Sequence, residues 1–74
     1  MWYYDTPIGR LYIRRSSDGG YGFNYAGIVW EACPTPEEEA SNISAHVTGC
    51  PDWDLCDHEV PADLSEWGFV PHLH

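Results

Sequence analysis

The stretch Arg10-Leu11-Tyr12-Ile13-Arg14-Arg15-Ser16-Ser17-Asp18-Gly19-Gly20-Tyr21-Gly22-Phe23-Asn24-Tyr25 decides the fold. Leu11 and Ile13 alternate with Arg10, Tyr12 and Arg14, the period of two that marks a strand with one buried face. Ser16-Ser17-Asp18-Gly19-Gly20 supplies turn residues and glycines that tolerate positive φ. Tyr21, Phe23 and Tyr25 then alternate again, so the stretch is predicted to be an antiparallel hairpin. Toward the N-terminus, Trp2–Thr6 is aromatic and β-prone and is broken by Pro7-Ile8-Gly9, which predicts a preceding strand and a turn. Toward the C-terminus, Ala26-Gly27 reads as a tight turn into a fourth strand, in which Ile28, Trp30 and Ala32 alternate with Val29 and Glu31. Sequential hairpins make the sheet antiparallel.

A helix follows. Thr35-Pro36-Glu37-Glu38 places a capping hydroxyl, a proline at the first helical position and a glutamate at the capping-box position. Glu37, Glu38 and Glu39 stand where the helix dipole favours anions. Ala40, Ile43 and Val47 recur at helical spacing and form a narrow apolar stripe, and Thr48-Gly49 is a natural stop. The helix is therefore expected over residues 36–48. Residues 50–74 are punctuated by Pro51, Pro61 and Pro71 and predict a wrapping tail, with one helical turn at 62–67 capped by Asp63. Trp53 and Trp67 are expected to anchor that tail to the core. The expected class is α+β: an antiparallel β-meander of three to four strands (residues 1–33) packed against one helix, with an irregular C-terminal tail, all in a single domain.

Composition bounds the rest. A chain of 74 residues supports one modest core, since a chain so short buries only about 60% of its unfolded surface. Hydrophobic residues make up 43% and aromatics 15%, which favours folding over disorder despite a net charge of −9. No apolar run approaches the roughly 20 residues of a membrane span, and Met-Trp-Tyr-Tyr-Asp lacks the layout of a signal peptide. A cytoplasmic chain with no membrane partner is the expectation. The three cations, Arg10, Arg14 and Arg15, all precede residue 16, whereas residues 16–74 hold eleven acids and no Lys or Arg. Such a chain repels phosphate backbones, so direct nucleic-acid binding is not expected. It suits instead a solvated acidic surface, or an acidic face that docks on a basic partner.

Several chemistries can be weighed on residue types. His46, Cys50, Cys56 and His58 are a zinc-type ligand set, but their separations of three, five and one intervening residues match no common zinc pattern. Asp52-Trp53-Asp54-Leu55-Cys56-Asp57-His58-Glu59 is rich in carboxylates, yet places Cys56 and Asp57 where a calcium loop needs an oxygen ligand and a glycine. Gly19-Gly20-Tyr21-Gly22 lacks the lysine and spacing of a phosphate loop, and no cysteine-hydrolase signature is present. Enzyme activity and a resident cofactor are not expected. His72 and His74 read as exposed tail residues. Three cysteines make an odd count, so free thiols are expected, with a Cys50–Cys56 bridge only after oxidation.

Asp5-Thr6-Pro7-Ile8-Gly9 with Leu11 and Tyr12, Gly20-Tyr21-Gly22-Phe23, Thr35-Pro36-Glu37-Glu38, His46-Val47-Thr48-Gly49, Asp52-Trp53-Asp54 and Val60-Pro61-Ala62-Asp63-Leu64-Ser65-Glu66-Trp67 together resemble a group of small uncharacterised bacterial and phage proteins. The resemblance covers most of the chain, rests on turn, cap and core motifs and implies no catalytic residue; Cys50 and Cys56 stand outside it. In size and charge alone the chain is similar to anti-CRISPR proteins. The functional expectation is a small acidic, non-enzymatic inhibitor that covers a basic nucleic-acid-binding surface of a partner complex. Its candidate contacts are Glu31, Glu37, Glu38, Glu39, Asp52, Asp54, Asp57 and Glu59. A small zinc-binding domain using His46, Cys50, Cys56 and His58 is the alternative. A sheet covered by one helix leaves an edge open, so either a monomer or a homodimer is expected.

Overall fold

Turn chemistry sets the sheet. In the computed structural model, which describes residues 1–71, strands β1 (Trp2–Thr6), β2 (Gly9–Arg15), β3 (Tyr21–Tyr25) and β4 (Ile28–Cys33) follow one another as antiparallel hairpins. Ala26 and Gly27 adopt φ of 54° and 79°, the double positive φ of a turn whose twist suits a two-residue hairpin. Leu11, Ile13 and Phe23 are fully buried. Ile13 lies opposite Phe23 and Trp2, and Tyr4 opposite Leu11, which puts these side chains on one face.

Two helices and the chain that follows cover this face. Helix α1 (Pro36–Ser44) begins as expected: Thr35 Oγ1 accepts from the Glu38 amide at 3.2 Å and Pro36 opens the first turn. It lies across β3 and β4. It ends at Ser44, earlier than the predicted residue 48. The Val47 amide donates to Asn42 O and the His46 amide to Ile43 O, both at 3.1 Å, while His46 takes the left-handed conformation at φ 59°. This is a Schellman termination with histidine in the place usually held by glycine. Val47 consequently leaves the apolar stripe and is 58% exposed. Pro36, Glu39, Ala40 and Ile43 form the inner face of α1 instead.

The residues after α1 are more regular than their sequence suggests. Helix α2 (Pro51–Asp54), a single turn that was not expected, drives Trp53 fully into the core. There the indole Nε1–H donates to Ile43 O at 2.8 Å. Asp63 caps a 3₁₀ turn over Leu64–Glu66, within the predicted 62–67. Trp67 is buried, donates to Pro61 O at 2.8 Å and packs on Tyr4. Strand β5 (Gly68–Phe69) then pairs with β1, completing a five-stranded antiparallel sheet in the order β4-β3-β2-β1-β5. Met1 and Val70 close this edge by exchanging two backbone hydrogen bonds of 2.8 and 3.0 Å. Gly68 fits because the Tyr3 ring occupies the space a Cβ would need. His72 and His74 lie outside the described residues.

Candidate functional site

The decisive local feature is an irregularity in β4. Val29 pairs with Asn24, but Glu31 pairs with Phe23, so Trp30 is the extra residue of a β-bulge. The bulge resets the alternation. Because Phe23 faces the helices, Glu31 opposite it and Cys33 opposite Tyr21 also face them. From α1, Glu39 arrives at the same place. Ligand atoms of Glu31, Cys33 and Glu39 all lie within 4.8 Å of one another. Asn42, one turn further along α1, donates its amide to Glu31 Oε1 at 3.2 Å and to Cys33 Sγ at 3.5 Å.

Glu39 is the unusual member of this cluster. It is fully buried, and neither carboxyl oxygen has a hydrogen-bond partner. Burial first, and the adjacent Glu31 carboxyl second, raise its pKa to about 8. Burial, followed by the charges of Glu39 and Glu31, pushes the Cys33 thiol up to about 11. No cation offsets the cluster: the only ion pair among the described residues joins Arg10 to Asp5, at 2.6 Å in the β1–β2 hairpin.

The eight predicted contact residues therefore separate. Glu37, Glu38, Asp52, Asp57 and Glu59 are exposed, and all of them follow β4 in the chain. Glu39 is corrected from a surface contact to a core residue, since the inner face of α1 includes position 39. Glu31 is half-buried and engaged by Asn42. Asp54 turns back onto the α1–α2 connection. Its carboxylate accepts from the Thr48 amide at 3.0 and 3.1 Å, from Thr48 Oγ1 at 2.8 Å and from the Gly49 amide at 2.7 Å. An Asp54→Asn variant, which replaces one accepting oxygen by a donor, is expected to lose about 1.5–3 kcal/mol, the range for hydrogen bonds to a charged group. Urea denaturation monitored by circular dichroism checks this.

The sequence-based metal quartet does not assemble. Glu31, Cys33 and Glu39 are the only trio of such donors brought together among the described residues, so no three of His46, Cys50, Cys56 and His58 converge. Cys50 is buried in the core. His46 stacks on Trp53 with ring centroids 4.4 Å apart, and its Nδ1 is 2.8 Å from Trp53 O. A carbonyl only accepts, so that nitrogen carries the hydrogen. The carboxylate-rich segment at 52–59 is equally unlike a calcium loop, because α2 occupies its start and Trp53 points into the core. Cys33, Cys50 and Cys56 are all free thiols.

No protein-family model matches the chain, and no curated protein or solved structure matches it at a significant level. Residue roles therefore rest on geometry and charge alone. The three arginines all lie in β2, and Arg14 and Arg15 open onto a groove of about 860 Å³ with Trp2, Tyr21 and Phe69. No helix among the described residues is long and apolar enough to cross a membrane. Sequence reading missed Glu31, Cys33 and Glu39 as a group because the bulge at Trp30 changes which residues of β4 face inward.

Proposed function

We propose that this protein is a non-enzymatic acidic interaction module that docks on a basic, nucleic-acid-binding surface of a larger protein partner. The docking residues are Glu37, Glu38, Asp52, Asp57 and Glu59, whose carboxylates stand in for backbone phosphates. One observation carries the reading: residues 16–74 hold eleven acids without a Lys or Arg, and these five project into solvent from the helices and the segment after them. The single ion pair among the described residues, Asp5–Arg10, lies in the β1–β2 hairpin and does not involve them. Complementary charge of this kind steers association and selects partners more than it adds raw affinity. An inhibitor of the type phage and mobile elements encode is the biological role that fits. The partner's own nucleic acid is then its competitor.

The test is capture of partners by the tagged protein from the lysate of its source cells, at low and high salt. The screening length falls from about 10 Å at 0.1 M to about 3 Å at 1 M salt. The proposal expects a nucleic-acid-binding complex that is retained at low salt, washes off at high salt and is displaced by added nucleic acid. The quintuple variant E37Q/E38Q/D52N/D57N/E59Q is expected to retain none of it. Capture that survives high salt, or is equal in the variant, contradicts charge mimicry.

A further inference from the structure

The buried cluster asks for a separate explanation. Folding places a carboxyl group in the core with neither oxygen hydrogen-bonded, next to a second carboxyl and a thiol. Buried polar groups are almost always paired, and a buried carboxylate without a partner or a cation is costly. Exposed acidic groups commonly cluster without holding a metal ion. Here the deciding feature is that Glu39 is fully buried, unpartnered and grouped with a sulfur ligand. Every charged or titratable neighbour that bears on it is acidic: Glu31 and Cys33 on β4, with Glu38 of α1 also acting on Cys33.

We infer that Glu31, Cys33 and Glu39 are a binding site for one thiophilic divalent cation of the Zn²⁺ class. The inference stands independently of the docking proposal. Two carboxylates and a thiolate suit zinc, cobalt or cadmium, whereas Ca²⁺ takes six to eight oxygens and Mg²⁺ disfavours sulfur. Zinc bonds of about 2.0 Å to oxygen and about 2.3 Å to sulfur put the tetrahedral ligands of such a site about 3.3–3.5 Å apart. The three ligand atoms now lie within 4.8 Å of one another, so binding would draw them closer. Three protein ligands leave a fourth position for water or a partner's side chain. Asn42 supplies the outer support by hydrogen-bonding two of the three ligands, the usual way a site fixes their orientation. Glu31 and Cys33 are only half-buried, so the ion enters from the β4 side. Binding requires the thiol and the Glu39 carboxyl to release their protons, which then go to solvent.

The test uses the full chain stripped with chelator and titrated with Co²⁺, whose thiolate charge-transfer absorption reports sulfur ligation, followed by displacement with Zn²⁺. The expected result is one equivalent of metal, a charge-transfer band and a raised thermal midpoint. Cys33→Ser is expected to abolish the band. Glu39→Gln, which removes the ligating carboxyl and leaves the core filled, is the second variant and is expected to weaken affinity by at least about tenfold. Asn42→Ala is expected to weaken it by about 10- to 100-fold, as for other outer-support residues. Cys56→Ser and His58→Ala are expected to bind normally. Absence of stoichiometric metal in the wild-type chain overturns the inference, as does a band that survives Cys33→Ser or disappears in Cys56→Ser.

Discussion

Trp53→Ala is expected to cost about 3–5 kcal/mol, the range for emptying a large buried aromatic site. At about 0.05–0.15 kcal/mol per residue, a chain of 74 residues has about 4–11 kcal/mol in total. The variant is therefore expected to lose a large share of the chain's stability. The size of the effect follows from how many elements meet on one indole. Trp53 is fully buried, its ring stacks under His46, and its Nε1–H satisfies the Ile43 carbonyl near the end of α1. Losing it removes the lid of α2 and the partner that holds His46 at positive φ. Trp53→Phe keeps most of the apolar volume and leaves that carbonyl its bond from the His46 amide, so it is expected to cost about 0.5–1.5 kcal/mol, the net worth of one hydrogen bond. Urea denaturation followed by circular dichroism measures both. A loss below about 1 kcal/mol in Trp53→Ala is inconsistent with a core centred on this residue.

The second large effect concerns Glu39 and pH in chelated protein. Its folded-state pKa of about 8 stands above the ordinary value of 4.5, so the folded chain holds a proton that the unfolded chain has released. The associated stability is complete below pH 4.5 and is lost as pH rises through about 8. Unfolding free energy is therefore expected to fall across this window, by at most about 1.4 kcal/mol per pH unit for one proton. Cys33, pushed up to about 11, keeps its proton throughout the window. The lowered carboxyls of Asp5, Asp18 and Asp63 act only in more acid solution. Glu39→Gln removes the titrating group, and the variant is expected to lose most of the slope and to exceed the wild-type chain in stability at pH 8. Denaturant midpoints of the two proteins at matched pH make the comparison. Equal slopes contradict a buried, unpaired carboxyl.

How far the sequence discloses this arrangement depends on the range of the interactions. Local rules suffice for the meander: the alternation of Leu11 and Ile13, the Ala26-Gly27 turn and the Thr35-Pro36 cap each act within a few residues and appear where expected. They fail where tertiary contacts decide. The end of α1 depends on His46 lying against Trp53, seven residues away, so a rule that looks for glycine points to Gly49 instead. Strand β5 is two residues long, too short for any periodic signal, and exists because β1 offers an edge and Tyr3 covers Gly68. Position 39 reads as one more first-turn acid, favoured by the helix dipole. Only the packing of α1 across β3 and β4 makes it a core position. The same holds for Asp54, whose three donor groups are supplied by the tight connection before α2. The exposed acids, by contrast, are legible from charge alone, since no ion pair among the described residues engages Glu37, Glu38, Asp52, Asp57 or Glu59.

Packing of α1 draws Glu39 into the core beside Glu31 and Cys33, with no basic side chain paired to it among the described residues. A carboxyl-carbon NMR titration of the Glu39 side chain in chelated protein tests this directly. The predicted midpoint is near 8, far above the ordinary 4.5. A midpoint at the ordinary value would contradict it.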